Sequence, residues 1–232
     1  MTWARAVVVG SSGGIGGALA DALARDGAEV ISLARSAAFP ADRIDLLDED
    51  SIAAAAARIG AGGPVDLVLV ASGVLHGDGR GPERSSRELS ADALTRAFAV
   101  NATGPALVAK HFLPLLPRRG RATFAALSAR VGSISDNQLG GWYGYRASKA
   151  ALNMLLRTLA LELVRTRPDA LCVGLHPGTV DTGLSKPFQR GVAPDKLFEP
   201  RYAAEQLLSV LAALGPEDNG GCFAWDGERV PA

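Results

Sequence analysis

The chain of 232 residues is short of several things, and each shortage narrows what it does. Cys172 and Cys222 are its only cysteines, both in apolar, strand-like settings. They read as two buried thiols rather than a disulfide, and the count suits a reducing compartment. Charge of one sign is lacking too, since Lys plus Arg equals Asp plus Glu at 24 each. No field of that kind draws the chain to nucleic acid or to a membrane surface. His76, His111 and His176 are scattered, with no partner at metal-ligand spacing, so no metal is expected. The apolar run in "MTWARAVVVG" is too short for a signal peptide or a membrane span. A cytoplasmic protein is expected, with neither a nucleic-acid nor a membrane partner. "PRRGR" (117–121) reads as a solvated helix end.

What the chain does have is apolar surface. At 48% hydrophobic and 21% charged residues it can bury a sizeable core. No repeat, low-complexity tract or compositional shift divides it, so one domain is expected over residues 1–232. Short apolar runs alternate with helical spacing. "RAVVVG" (5–10) reads as a strand buried on both faces, and residues 15–27 as a helix stopped by Gly27. Strands are expected at 28–35, 43–46, 65–73, 121–128, 170–178 and near 222–225. Helices are expected at 48–60, 90–116, 143–166 and near 201–214, the second opening on Ser90 and perturbed at Gly104-Pro105. Such alternation implies right-handed βαβ units and a doubly wound parallel α/β sheet, a Rossmann-type fold. The loops at 77–88 and 182–200 follow strand ends, where open α/β sheets bind ligands.

"VVVGSSGGIGGAL" (7–19) puts Gly10, Gly14 and Gly16 between the first strand and the first helix, the context a dinucleotide fingerprint needs. Gly10 allows the turn, Gly14 allows backbone to approach a pyrophosphate, and Gly16 allows close helix–strand packing. The helix start then turns its N–H groups to the phosphates. A second feature is "GGWYGYRASKAALNML" (140–155), which crowds Trp142, Tyr143, Tyr145, Arg146 and Lys149 into the front of a helix.

The Gly-x-x-x-Gly-Ile-Gly spacing and the later Tyr145-x-x-x-Lys149 together resemble the short-chain dehydrogenase/reductase family. Asn101 in "FAVNATG" and the segment "HPGTVDTGL" (176–184) match that family in the expected order. "VGSISDNQLGGWYGYRASKAALNM" (131–154) and "NGGCFAWDGERVP" (219–231) look most like its C-factor and carbonyl-reductase-like branch. The resemblance covers nearly the whole chain. It implies catalytic roles for Tyr145, Lys149 and Asn101. It also implies a nicotinamide site built from Gly10, Ser12, Gly14, Ile15, Gly16, Asp45, Leu46, Ala71, Ser72 and Gly73, with Asn101, Tyr145 and Lys149. Pro177, Gly178, Val180 and Thr182 would cover the nicotinamide.

Strand two ends in Ala34-Arg35-Ser36, with no carboxylate to accept a ribose 2′-hydroxyl. The Arg35 guanidinium can pair with a 2′-phosphate, which favours NADP(H) over NAD(H). Arg35 merely solvating a loop or stacking on adenine is the alternative, and Gly13 stands where some members place a second cation. The expected reaction interconverts a small-molecule carbonyl and its alcohol. Tyr145 is the proposed proton donor, with Lys149 one turn along on the same helical face. A free phenol titrates near ~10, and lowering that by ~3 units needs ~4 kcal/mol. One cation at ~4 Å supplies ~1 kcal/mol in water but ~4 kcal/mol at intermediate dielectric. The site must therefore be shielded, and the charge must outweigh the desolvation that shielding brings. Asn101 is expected to hold a water linking Lys149 to solvent.

Two positions depart from the family's pattern. Ala129, in "SARVG" (128–132), stands where a serine normally bonds the substrate oxygen, leaving Ser128 and Ser133 as substitute hydroxyls. Ala71, in "VASG" (70–73), stands where an asparagine is frequent. A weak reductase, a substitute hydroxyl or a binding protein would each account for Ala129. The rival to an enzyme is thus a nucleotide-binding, C-factor-like signalling protein with little turnover. Trp142 and Tyr143 read as packing residues and His176 as a satisfied structural histidine; His76 is a further candidate to meet substrate. Phe188, Leu197 and Phe198 suit either a lid over an apolar substrate or ordinary loop burial. Self-association through the helices at 90–116 and 143–166 is also implied by relatives.

Overall fold

The apolar runs become the strands of one sheet because each has both faces covered. In the computed structural model, which describes residues 3–77 and 81–232, β1 (Arg5–Val9) leads through α1 (Gly14–Arg25) to β2 (Glu29–Leu33). Then come α2 (Glu49–Gly60), β3 (Leu67–Val70), α3 (Ala91–Phe98), α4 (Gly104–Phe112), β4 (Ala122–Leu127), α5 (Tyr143–Leu163) and β5 (Ala170–His176). Two short strands, β6 (Thr179–Val180) and β7 (Leu197–Phe198), precede α6 (Pro200–Ala213) and β8 (Cys222–Ala224). The main sheet runs β2-β1-β3-β4-β5-β8, with every neighbouring pair parallel.

Alternation along β1 shows how the layers divide. Val7 and Val9 pack among Ile52, Val68, Phe112 and Leu156, beneath α2, α4 and α5. Val8 packs among Leu19, Leu69, Leu207 and Leu211, beneath α1 and α6. The chain leaves β1 toward β2 and returns across it to β3, so strand order reverses between β1 and β3. A crevice opens at the C-terminal ends of strands at such a reversal. Among the described residues no helix is long and apolar enough to cross a membrane.

Three expectations need correction. Residues 43–46 are not a strand: only an isolated bridge joins Arg43 to Ala34, after a 3-10 turn at Pro40–Asp42. The reason is local. The Asp45 carboxylate accepts the Leu47 N–H and the Ser51 hydroxyl accepts the Asp45 N–H, bonds that compete with a sheet ladder. The helix expected at 90–116 is α3 and α4 joined by a π-helical turn over Ala99–Thr103, ending in a 3-10 turn at Leu113–Leu115. Pro105 has no N–H to offer the Asn101 carbonyl four residues back, which explains the widened turn. Ser90 takes the N-cap position of α3 without a side-chain cap bond. Within the loop at 77–88, residues 78–80 lie outside the described residues, as do residues 1 and 2 of the expected domain.

Candidate active site

The glycine turn is built by missing side chains. Gly10 has φ +90, and its N–H and that of Ser11 both donate to the Leu33 carbonyl, tying the turn to the end of β2. A Cβ on Gly16 would lie 2.2 Å from the Gly10 carbonyl oxygen, so helix and turn meet backbone to backbone. A Cβ on Gly14 would lie 2.8 Å from Thr182 Cγ2, which places Thr182 over the turn. Ile15 packs into the core beneath α1.

Beside this turn lies a cleft of about 330 Å³. Gly10, Ser12, Arg35, Asp45, Leu46, Ala71, Ser72 and Gly73 all line it, together with Ser36 and Val74. Arg35 is exposed at its wall. The Ser72 hydroxyl is buried with no hydrogen-bond partner, an orphaned donor in the wall of an otherwise satisfied site. A polar ligand with phosphate and hydroxyl groups fits both the orphan and the bare backbone of the turn. Pro177, Gly178 and Val180 do not line this cleft. Gly178, at φ +75, is pressed against Phe198 and Trp225, and Val180 is buried.

Tyr145 and Lys149 stand one turn apart on α5, with the Lys149 Nζ 5.7 Å from the Tyr145 ring centroid. Lys149 is buried and donates to the Leu127 carbonyl at 2.7 Å. A Cβ on Gly73 would lie 3.7 Å from the Lys149 Nζ and 3.5 Å from Asn101 Oδ1, so cleft and catalytic pair touch. Asn101 is fully buried in the π turn. Its amide brackets Val74, accepting the Val74 N–H and donating to the Val74 carbonyl, both at 2.8 Å. It also donates to the Ser148 hydroxyl at 3.0 Å, which donates on to the Tyr145 carbonyl. The side chain of Asn101 thus locks β3's end to α5. Ser148, which sequence reasoning quoted without a role, completes that lock.

Electrostatics differ from expectation. Burial pushes the Tyr145 phenol up to about 12, and burial likewise brings Lys149 down to about 8. In the protein alone desolvation therefore outweighs the cation, whose Nζ lies 5.7 Å from the ring centroid. At neutral pH the pair is phenol and ammonium.

A second hollow, of about 370 Å³, adjoins the first and shares Val74 and Arg96 with it. Tyr145, His76, Glu83 and Asp92 line it. Trp142 stands edge-on to Tyr145 at 6.3 Å, and Phe188 bridges Trp142 at 5.2 Å and His76 at 5.7 Å. The expected lid therefore divides. Phe188 reaches the Tyr145 side, whereas Leu197 and Phe198 form β7, with Phe198 edge-on to Trp225 and tilted against Tyr202. Arg146 clamps the turn before α5, donating to the carbonyls of Gly140 and Gly141.

Ala129 is buried and brings no hydroxyl. Neither substitute replaces it. Ser128 donates to Asn153 at 2.6 Å, and Ser133 is engaged with Asp136, Ser135 and Ala232. His176 is not satisfied: its Nδ1 is buried with no partner, and burial holds the ring down at about 4.

Residues 4–193 match the family described as short chain dehydrogenase. The chain belongs to the short-chain dehydrogenase/reductase family. It is similar to C-signal of Myxococcus xanthus, 35% identical over 170 residues, 73% of this chain and 93% of that protein. It is also similar to the 1-hydroxy-2-glutathionyl-2-methyl-3-butene dehydrogenase of Rhodococcus sp. (strain AD45), 31% identical over 92% of this chain and 93% of that one. Among solved structures, the carbonyl reductase Sniffer of D. melanogaster shares the fold at TM-score 0.82, with 23% identity and 99% of each chain covered. A short-chain dehydrogenase/reductase from Burkholderia multivorans with bound NADP aligns at TM-score 0.80 and 26% identity, covering 99% of this chain and all of that one. As a short-chain dehydrogenase/reductase the chain is an oxidoreductase.

Proposed function

We propose that this short-chain dehydrogenase/reductase interconverts a small-molecule carbonyl and its alcohol with NADP(H), as one folding unit over residues 1–232. The observation that carries the reading is Lys149, paired with Tyr145 on α5, standing with Asn101 against Gly73 of the cleft wall. Gly10, Ser12, Gly14 and Gly16 would hold the pyrophosphate at the start of α1. Arg35 and Ser36 would meet the 2′-phosphate, and Asp45 and Leu46 the adenine. Ser72 would gain its missing partner. Bound nicotinamide supplies the hydride, or accepts it in the reverse direction.

The chain's own contribution is the proton. With its phenol at about 12, Tyr145 is protonated at neutral pH and donates as negative charge develops on the carbonyl oxygen. Stripping that proton at pH 7 costs about 7 kcal/mol, so alcohol oxidation should climb with pH while reduction does not need that step. Lys149 stays cationic up to about pH 8 and steadies the phenolate left behind. Asn101 holds the Val74 backbone and, with its amide so engaged, would reach a water only through its backbone or the second lone pair of Oδ1. Self-association belongs to the same reading, along the face of α5 where Met154, Leu161 and Val164 are exposed.

Titrating NADPH and NADH by fluorescence and then assaying a panel of aldehydes and ketones tests this. NADPH should bind about tenfold tighter, as a single well-placed ion pair implies, and at least one carbonyl should be consumed. Tighter NADH binding removes the cofactor assignment. A saturated enzyme that consumes no carbonyl leaves the second reading, a nucleotide-binding signalling protein. That reading draws on Ala129 with both nearby serines engaged elsewhere, and on the likeness to C-signal.

A further inference from the structure

Glu83 is a carboxylate in a place that disfavours one. It is only 8% exposed, on the segment between β3 and α3, and a buried charge persists only with partners. Its Oε2 accepts the N–H of Gly144 at 3.1 Å, 61 residues further along the chain. Its backbone carbonyl accepts the N–H of Trp142. α5 has no cap of its own: Trp142, at the N-cap, makes no side-chain bond, and no acidic residue lies in the first turn. Glu83 therefore closes from outside the start of the helix that bears Tyr145 and Lys149, at its electropositive end.

Gly144 makes room for this. A Cβ there would lie 3.0 Å from Glu83 Oε1 and 3.5 Å from Ala97 and Leu94. Trp142 shows what the clamp holds in place. At φ 52 it is the only non-glycine residue with positive φ among the described residues. A bulky side chain keeps that conformation only where its surroundings over-determine it. Here they are the Glu83 carbonyl on one side, and Tyr145 and Phe188 on the other.

We propose that Glu83 is a positioning residue: by binding the first N–H groups of α5 it fixes the Trp142 turn and, through it, where the Tyr145 phenol stands. This rests on the reading of Tyr145 as proton donor. Glu83 does not line the cofactor cleft, so nucleotide affinity should not depend on it.

The test compares Glu83→Ala, Glu83→Gln and Gly144→Ala in the full chain. It measures turnover at saturating reduced nicotinamide on the parent's best carbonyl, and the nucleotide Kd. It also measures Trp142 emission, isolated by subtracting the matching Trp142→Phe protein. Glu83→Ala should lower kcat about 10- to 100-fold, as small misplacements of reacting groups do, with nucleotide Kd unchanged and Trp142 emission shifted to the red. Glu83→Gln, which keeps an acceptor for Gly144, should recover most of the turnover. Gly144→Ala should reproduce the loss, and the double variant should be no worse than either single one. A folded Glu83→Ala protein with parental turnover and emission overturns the proposal, as does additivity of the two substitutions. Where Glu83→Ala does not fold, parental turnover and emission in Gly144→Ala overturn it instead. A parent that consumes no carbonyl defeats the enzyme reading, and the emission of Trp142 then decides on Glu83 by itself.

Discussion

The two adjoining hollows are made of different material. The cofactor cleft is shaped where side chains are missing or small: the turn at Gly10, with the bare approach of Gly16 behind it, and the strand ends at Ala34 and Ala71. The hollow beside Tyr145 is walled by side chains such as His76 and Glu83 from the segment before α3, with Trp142 and Phe188 from two other segments packed on His76 and Tyr145. The first keeps its family's pattern where backbone is needed. The second depends on a left-handed tryptophan beside Tyr145, and the chain departs from the family's pattern at Ala129, after β4. A backbone-built site leaves little to vary, whereas a side-chain-built one can change substrate or lose turnover while nucleotide binding persists.

The sharpest way to separate the two is Tyr145→Phe. Removing the proton donor should lower carbonyl turnover by about 10²–10⁴-fold, while reduced nucleotide still binds. Equal loss of binding and turnover would mean that the hollows are not separable. Gly16→Ala attacks the other side. Its Cβ would lie 2.2 Å from the Gly10 carbonyl, so backbone must move. Overpacking of this kind costs about 1–3 kcal/mol, or roughly 2–12 °C in Tm for a chain of this length, and nucleotide affinity should fall with it. Unchanged Tm and affinity would show that the close packing of turn on helix is not needed.

The same contrast governs what was legible in the sequence. Gly10, Gly14 and Gly16 are readable because their role follows from spacing between a strand and a helix, and Ser72 follows from a strand end. Tyr145 and Lys149 are readable because their order after the glycine turn and Asn101 resembles the family's, and a four-residue interval then puts them on one helical face. Glu83 was not, because its partner Gly144 is 61 residues away and nothing in local pattern links a loop carboxylate to a helix start. Ser148 was in plain view within "YRASK", yet its bond to Asn101 crosses between helices. The false strand at 43–46 shows the limit of reading periodicity alone: an apolar alternation four residues long loses to an aspartate and a serine that bond their neighbours. The direction of the Tyr145 shift was also out of reach, since it depends on how deeply the phenol is buried against the pull of the nearby ammonium.

Ala129→Ser sharpens the comparison from the substrate side. The substitution restores a hydroxyl at the end of β4, where neither Ser128 nor Ser133 has one free of local partners. Losing such a donor elsewhere costs about 10²–10³ in turnover, and a donor added to an unadapted site should recover about tenfold of it. Nucleotide Kd should not move. No gain with any carbonyl that the parent consumes removes Ala129 from the explanation of low activity.

The smallest expected effect lies outside both linings, at His176 on the end of β5. Its ring is held at about 4, below the ordinary 6.5, by burial first and by the Arg130 guanidinium second, against a smaller opposing effect of Asp226. Arg130 is itself within 3.6 Å of Asp136 and Glu228, so its charge is partly offset. A lowered folded-state value means that between 6.5 and 4 the unfolded chain binds a proton that the folded chain refuses. Stability is then constant above 6.5, falls as pH drops toward 4, and flattens below. Allowing for partial solvent access, the loss is about 1–2 kcal/mol, a few degrees of Tm. Carboxylates titrate in the lower part of this window, so the measurement is the difference in Tm between the parent and His176→Asn, taken from pH 7 to 4. The gap should close steadily in favour of the asparagine protein, because only the parent carries the slope. Parallel curves would mean that His176 takes up its proton in the folded state, with a partner supplied by movement at the end of β5.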